Sequence, residues 1–245
     1  IYISEKYYFN KGNRYICLSE YSKNIIIKHH KINPDNIYII HHPNFNKVYN
    51  KVLIDGRFTT DNSANIDKIK ILYMSRVARS NGLELFSNVI DELIDDDLYH
   101  FILAGNAKGV RAKTLRKKIE KKYKNRINVT CVFGFYSEEK AKSLITTSDY
   151  VVLPYEYAIA QSGLRQLALG LGTPVIVNRI GGLYENILNW ENGIIVKKNT
   201  VEEWVNTLKL LSTFKYDRDK IKKVNEYKYG EKATIISFNN IFSIE

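Results

Sequence analysis

Short apolar runs alternate along this chain with longer segments whose apolar residues recur at helical spacing. The first strand-like runs are RYICLSE at 14–20 and IYIIHHP at 37–43, and they flank a helical segment, YSKNIIIKHH, that begins after Ser19. Serine is a favourable N-cap at that point, because its hydroxyl accepts an otherwise unpaired amide of the first helical turn. The pattern predicts strand, helix and strand in that order.

A second and longer series of the same kind starts near residue 68. Its predicted strands are KIKILYMSR, HFILAG, INVTCVFG, DYVVLPY, TPVIVNR and GIIVKK. Its predicted helices are NGLELFSNVIDELI, a basic helix over 113–126, SEEKAKSLITTS with Ser137 as N-cap, SGLRQLALGLG, a short helix over 183–188, and VEEWVNTLKLL. Near-continuous apolar strands separated by helices are typical of a parallel sheet that is buried on both faces. We therefore predict an α/β fold with a Rossmann-like, doubly wound parallel sheet.

The composition is that of a globular protein, with 44% hydrophobic and 26% charged residues. No apolar run approaches the roughly 20 residues that a membrane span needs. Cys17 and Cys131 each lie in an apolar run, where cysteine usually acts as a small buried hydrophobe, so we expect a reducing, cytoplasmic location. The paired histidines at 29–30 and 41–42 have no cysteine or acidic cluster beside them in the sequence, and we expect no metal site.

The net charge of +11 raises the question of a polyanionic partner. The densest basic run, at 113–126, has helical spacing and few aromatic residues that would stack on bases. This pattern favours a solvated helix face, and we expect no nucleic-acid partner. Peripheral contact with an anionic membrane, or an acidic acceptor, is the alternative use of this charge.

Ser162-Gly163 lies where a loop becomes a helix. The free N–H groups of Gly163 and Leu164 would point out of that helix start, toward an anion, and Ser162 adds a hydroxyl donor. An ordinary serine N-cap is the alternative interpretation. The common phosphate-binding fingerprints, GxGxxG and the lysine-containing P-loop, are absent from the sequence.

Three other predicted strand ends carry suggestive residues, and ligands of doubly wound sheets bind at such ends. Ser75 and Arg76 follow one strand, and a guanidinium there can hold a diphosphate through two oxygens, although a surface ion pair is the simpler role. Gly105 ends the next strand. Phe135 and Tyr136 follow another, where their rings are candidates to flank a base.

The order and spacing of these residues resemble the retaining GT-B glycosyltransferases of family 4, also called group 1. The positions that match that family's pattern are Arg76, Gly82, Ala104-Gly105, Gly134, Asp149, Pro154, Gly172-Thr173-Pro174-Val175, Gly181-Gly182-Leu183-Tyr184-Glu185 and Asn192-Gly193. Leu153-Pro154-Tyr155 and Gln161-Ser162-Gly163 resemble a subgroup with a Gln-Ser-Gly motif. The resemblance covers about residues 16–211.

The sequence also departs from that pattern. Ile159 and Leu167 stand where many members carry two glutamates that serve the donor sugar and ribose. Asn81 replaces the usual lysine before Gly82, which removes one phosphate charge, and Arg79 is a candidate to replace it.

The resemblance implies transfer of a hexose from a nucleotide diphosphate sugar to a hydroxyl of a carbohydrate or lipid-linked acceptor, with retained configuration and no divalent metal or other cofactor. It implies a cytoplasmic enzyme, with the cytoplasmic face of the membrane as an alternative location, in surface polysaccharide or glycoconjugate synthesis. Arg76 is the predicted catalytic residue. The predicted donor-binding residues are Ser75, Arg76, Gly105, Phe135, Tyr136, Gln161, Ser162, Gly163, Leu164 and Glu185. For Glu185, a contact with the sugar or ribose and a carboxylate at a helix N-terminus are equal alternatives.

Four parts of the chain are expected from the same resemblance. Residues 1–50 would end an N-terminal acceptor domain, 51–68 would be a linker, 69–218 the nucleotide-sugar-binding domain, and 219–245 a helix, interrupted at Gly230, that crosses back to the first domain. The start at Ile1, without an initiator Met, is expected from a cut through a longer protein. A non-catalytic module that binds nucleotide sugar, and a basic nucleic-acid-binding protein, are the two rival interpretations of the whole chain.

Overall fold

The computed structural model describes residues 12–44, 68–158 and 161–242. The strands are β1 (Tyr15–Cys17), β2 (Ile37–Ile39), β3 (Ile69–Met74), β4 (Tyr99–Gly105), β5 (Val129–Phe133), β6 (Tyr150–Leu153), β7 (Val175–Asn178) and β8 (Gly193–Val196). The helices are α1 (Glu20–His30), α2 (Leu83–Glu92), α3 (Val110–Tyr123), α4 (Glu138–Thr146), α5 (Gly163–Gly170), α6 (Val201–Lys209), α7 (Arg218–Tyr229) and α8 (Glu231–Phe242). No helix of this described part is long and apolar enough to cross a membrane.

Strands β3 to β8 form one parallel sheet with the order β5-β4-β3-β6-β7-β8. The chain builds outward from β3 in one direction and then returns to build from β6 in the other. This reversal leaves a crevice beyond the carboxyl ends of β3 and β6, which is where ligands bind in doubly wound sheets. The predicted α/β fold with a parallel sheet is confirmed.

The core lies on both faces of this sheet. Along β3, Ile71 and Tyr73 pack into one buried cluster, whereas Leu72 and Met74 pack into the other. Side chains alternate between the two faces of a strand, so an uninterrupted apolar run supplies both clusters. Trp204 of α6 is among the largest fully buried side chains of the first cluster.

The N-terminal residues form a smaller unit in which β1 and β2 pair in parallel beside α1. The Ser19 hydroxyl accepts the Ser22 amide at 3.0 Å, and the Ser137 hydroxyl accepts the Lys140 amide at 3.3 Å, so both predicted N-caps are confirmed. The backbone N–H of Asn44 donates to the carbonyl of Tyr229 at 2.9 Å, which joins this unit to the end of α7.

The C-terminal segment is helical on both sides of Gly230, as the sequence predicted. The basic helix starts and ends three residues earlier than predicted, at Val110 and Tyr123. The predicted helix over 183–188 is wrong, because the chain there forms turns. Residues 51–67 of the predicted linker and residues 45–50 before it lie outside the described residues, and the domain boundaries stay a prediction.

Candidate functional site

An open cavity of about 450 Å³ lies at the crevice beyond β3 and β6. Its walls come from the loops after β3, β4, β5 and β6 and from the start of α5. Six of the predicted site residues line it, namely Ser75, Arg76, Phe135, Tyr136, Ser162 and Leu164. Gly105, Gln161, Gly163 and Glu185 do not line this cavity. Tertiary structure therefore brings together residues that lie up to about ninety positions apart in the sequence.

Among the described residues, two cations line this cavity and no carboxylate does. Arg76 and Lys108 are both exposed, and in the part of the chain that the structure describes neither side chain has a hydrogen bond or an ion pair. The Asn81 side-chain amide donates to the Arg76 carbonyl at 2.7 Å and so fixes the backbone that carries the guanidinium. A cavity with two free cations and no acid attracts an anionic ligand.

The start of α5 adds further positive character. The Ser162 hydroxyl accepts the Arg165 amide at 3.4 Å and lies 3.4 Å from the Tyr155 hydroxyl, so this serine is an N-cap as well as a wall of the cavity. The amides of Gly163 and Leu164 make no hydrogen bond to any described residue. Unpaired amides at a helix N-terminus, together with the helix dipole, stabilise a bound anion.

Aromatic rings form another wall. The side chain of Phe135 is 92% exposed, and Tyr136 is half-buried beside it, where burial raises the pKa of its phenol. Two hydrogen bonds hold the loop that carries Tyr155 in place, because the Asn178 and Asn199 side chains both donate to the Tyr155 carbonyl, at 2.7 and 3.2 Å. An exposed flat ring next to an anion site is suited to stacking on a base.

Gly105 ends β4 without lining the cavity, and it permits close packing of the backbone. A Cβ at this position would lie 1.9 Å from the carbonyl oxygen of Ser75. The space at Gly82 is smaller still, because a Cβ there would lie 1.8 Å from the carbonyl oxygen of Pro154. Gly82 also adopts a φ of +71°. Both glycines let the loops after β3, β4 and β6 approach one another, which shapes the crevice.

Gln161 is buried and turned toward the N-terminal unit. Its side-chain oxygen accepts the His42 amide at 3.2 Å, and its amide nitrogen lies 2.9 Å from the His41 Nδ1 atom. Gly163 faces the same segment, since a Cβ there would lie 3.1 Å from the His42 Nε2 atom. The loop of the Gln-Ser-Gly motif is thus held to residues 41–42, while only its serine reaches the cavity.

The Glu185 carboxylate accepts the backbone N–H groups of Glu20 and Tyr21, at 3.0 and 2.8 Å. It therefore lies at a helix N-terminus, but at that of α1 rather than of its own segment. Arg165 is responsible for this placement, because its buried Nη1 atom donates to the carbonyls of Gly182, Leu183 and Glu185 at 3.3, 2.5 and 2.8 Å. These carbonyls turn toward Arg165, which explains why residues 183–188 form turns instead of the predicted helix.

Sequence reasoning missed Lys108 and Arg165. Lys108 follows the predicted strand end Ala104-Gly105 by three residues, and that proximity was the only local signal of its role. Arg165 carries no local signal at all, because an arginine in an amphipathic helix is usually solvated. Arg79, the candidate to replace a missing phosphate charge, is 90% exposed and does not line the cavity, and its nearest acid is Glu156 at 3.9 Å.

The doubly wound sheet places the chain among the Rossmann-like α/β proteins, and comparison with known proteins gives the family. The family described as "Glycosyl transferases group 1" matches residues 57–229, more than half of the chain. The protein belongs to this family.

Three relatives illustrate the relationship. A glycogen synthase of Clostridium acetobutylicum is 29% identical over 145 residues, which are 58% of this chain and 28% of that protein. The crystal structure of a glycosyltransferase from Rickettsia africae matches with a TM-score of 0.79 and 18% identity, over 99% of this chain and 67% of that one. The structure of Anabaena Alr3699/HepE in complex with UDP-glucose matches with a TM-score of 0.68 and 14% identity, over 94% of this chain and 63% of that one. The fold is thus of the GT-B type, and the chain spans less than a third of the curated relative's length.

Proposed function

We propose that this protein takes part in retaining transfer of a hexose from a nucleotide diphosphate sugar to a hydroxyl acceptor. The observation that carries the proposal is that the free Arg76 guanidinium and the N-terminus of α5, where the Leu164 amide is unpaired, meet at one cavity, and no carboxylate among the described residues lines it. The similarity in fold to a protein whose structure contains UDP-glucose supports the same ligand class.

The chemistry of the donor explains why these groups are suited to the reaction. When the glycosidic bond of a nucleotide sugar breaks, negative charge builds on the oxygen of the leaving diphosphate. Donors that are already oriented toward that oxygen stabilise the transition state more than the ground state. Arg76 and the helix start of α5 supply such donors without a metal ion, so we propose a metal-independent reaction in which Arg76 is the catalytic residue.

Recognition of the rest of the donor is assigned to the other walls of the cavity. Phe135 and Tyr136 are the candidates to flank the base, and Ser75 and Ser162 offer hydroxyl groups to the diphosphate or the sugar. Glu185 is not assigned to the donor, because its carboxylate is already hydrogen-bonded to α1. We propose a carbohydrate or lipid-linked acceptor, a cytoplasmic location with contact to an anionic membrane surface, and a role in polysaccharide or glycoconjugate synthesis.

Binding of nucleotides tests the proposal directly. A thermal-shift series with UDP, GDP, ADP and CMP should show stabilisation by one diphosphate, since a ligand at 100 times its Kd adds about 2.7 kcal/mol. Arg76→Ala should weaken that binding by roughly 1.5–3 kcal/mol, and Arg76→Lys should restore only part of it, because lysine cannot hold two oxygens in one plane. Arg79→Ala is the matched control, because that side chain is exposed outside the cavity. Absence of binding by all four nucleotides would reject the proposal.

A non-catalytic module that binds nucleotide sugar is the second candidate. Leu167, at a position where many members carry a glutamate, packs against the buried cluster of the sheet, and Ile159, at the other such position, lies outside the described residues. Donor binding without hydrolysis or transfer by the full-length protein, across several acceptors, would favour this candidate. Salt-sensitive binding to random DNA with no response to nucleotides would instead favour the nucleic-acid interpretation.

A further inference from the structure

Lys108 carries a charge that the fold itself does not use. It is exposed three residues after the end of β4, and within the described part of the chain its ammonium group has neither an ion pair nor a hydrogen bond. It lines the same cavity as Arg76. Unpaired exposed lysines occur elsewhere on the described surface, Lys113 among them, and what distinguishes Lys108 is its place on the wall of the cavity.

The placement of Lys108 is electrostatically unfavourable in the free protein. It lies two residues before the first residue of α3, a helix of 14 residues whose N-terminus has partial positive character. Arg76 and the start of α5 add positive charge at the same cavity, and no carboxylate of the described ranges lines it to compensate. A bound dianion removes this repulsion.

We infer that Lys108 is a second phosphate-binding residue, which together with Arg76 recognises the diphosphate of the nucleotide. This inference rests on the proposed function, since it names a further residue of the same site. Lys108 would thus supply the phosphate-binding charge that was expected of Arg79 from the sequence. Arg79 does not line the cavity. Two separated cations suit a diphosphate, whose charge is spread over two phosphoryl groups, better than they suit a single phosphate.

A phosphate-binding role and a structural role for Lys108 predict different effects of its replacement on the melting temperature of the free protein. Replacing a lysine that stabilises the fold lowers the melting temperature of the free protein. Replacing Lys108 should leave that melting temperature unchanged or raise it slightly, because a repulsive charge is removed. The same replacement should weaken binding of the diphosphate but not of the nucleoside.

Calorimetry with UDP, GDP and ADP on the wild-type protein identifies the tightest nucleotide, which is then used with Lys108→Gln. We expect about a tenfold rise in Kd for the diphosphate, which corresponds to about 1.4 kcal/mol, and no change for the corresponding nucleoside. Lys113→Gln is the matched control, because Lys113 is an exposed lysine of α3 that does not line the cavity and has no ion pair to any described residue.

The outcomes separate the two proposals. If the wild-type protein binds neither these three nucleotides nor CMP, the proposed function fails and the inference fails with it. If the wild type binds and Lys108→Gln binds equally well, only the inference is overturned. A fall in melting temperature of the free Lys108→Gln protein, or an equal loss of affinity for the nucleoside, would also overturn it, since either result places Lys108 in the fold rather than at the diphosphate.

Discussion

The Glu185 carboxylate accepts the backbone N–H of Tyr21 at 2.8 Å, across 164 residues of sequence. Its second oxygen accepts the Glu20 amide at 3.0 Å, so one side chain satisfies two of the amides that α1 leaves unpaired at its start. Ser19 satisfies the next, that of Ser22. The N-terminus of α1 is thus capped jointly by its own serine and by a carboxylate from the loop after β7.

Glu185→Ala should destabilise the protein without changing nucleotide affinity. It removes a capping carboxylate and its favourable interaction with the helix dipole, a loss of about 0.5–2 kcal/mol. Urea denaturation measures the first effect and calorimetry with the bound nucleotide measures the second. An unchanged stability with a weakened affinity would return Glu185 to the donor site.

Arg165→Leu should cost about 3 kcal/mol or more in the free energy of unfolding. The wild-type guanidinium is fully buried and donates to three backbone carbonyls, which the variant would leave without a donor. Burial lowers the pKa of Arg165 to about 10, so the group is still charged at neutral pH. Arg126→Leu, which removes an exposed pair with Asp95, is the control and should cost less than about 1 kcal/mol. Similar losses for both variants would argue against a structural role for the Arg165 contacts.

Gly82→Ala should destabilise the protein more than Gly109→Ala. Both glycines have positive φ, but Gly82 lies in the left-handed helical region (φ +71°, ψ +23°), where alanine costs roughly 1–2 kcal/mol. Gly109 (φ +82°, ψ +166°) lies in a region that is nearly exclusive to glycine, so alanine is strained there at least as much. At Gly109 the added Cβ meets no atom within 4 Å, whereas at Gly82 it meets the Pro154 carbonyl oxygen at 1.8 Å. Backbone strain alone would make Gly109→Ala at least as destabilising as Gly82→Ala, so a larger loss for Gly82→Ala reports the overlap. Equal values would mean that the loops after β3 and β6 are not packed as closely as described.

Stability should fall as pH rises from about 9 toward 12. Burial raises the pKa of the Cys131 thiol from 9.0 to about 11 and the pKa of Tyr99 and of Tyr216 from 10.0 to about 12. In this window the unfolded chain loses these protons first, so it binds fewer protons than the folded state and is favoured as pH rises. Urea denaturation between pH 8 and 11.5 measures the slope. Cys131→Ala should make the fall between about pH 9 and 11 less steep, and an identical slope would contradict the assignment to Cys131.

Much of the fold was predictable from local pattern. Apolar runs such as that of β3 specify buried parallel strands, because both faces of each strand must meet hydrophobic neighbours. Ser19 and Ser137 marked helix starts, because a serine N-cap acts within a few residues of itself. The strand ends could therefore be located well enough from the sequence to place Arg76, Phe135 and Ser162 near one edge of a sheet.

The hydrogen-bond partners of the Gln161 and Glu185 side chains could not be predicted from the sequence. Both stand in motifs that resemble donor-binding segments, yet Gln161 is hydrogen-bonded toward His41 and His42, and Glu185 toward α1. Their partners lie more than one hundred residues away, and no local periodicity specifies such a contact. A sequence motif gives the position of a residue in the chain. It does not determine which groups in the folded protein form hydrogen bonds with that side chain.

The sequence by itself determined the α/β class, the order of the elements and the family resemblance. Tertiary structure alone decided that Lys108 rather than Arg79 shares a cavity with Arg76, and that buried Arg165 turns the segment after β7 away from a helix. The physical reason is the range of the forces involved. Hydrophobic periodicity and capping act between residues close in sequence, whereas the direction of a charged side chain depends on which loops the sheet brings alongside it.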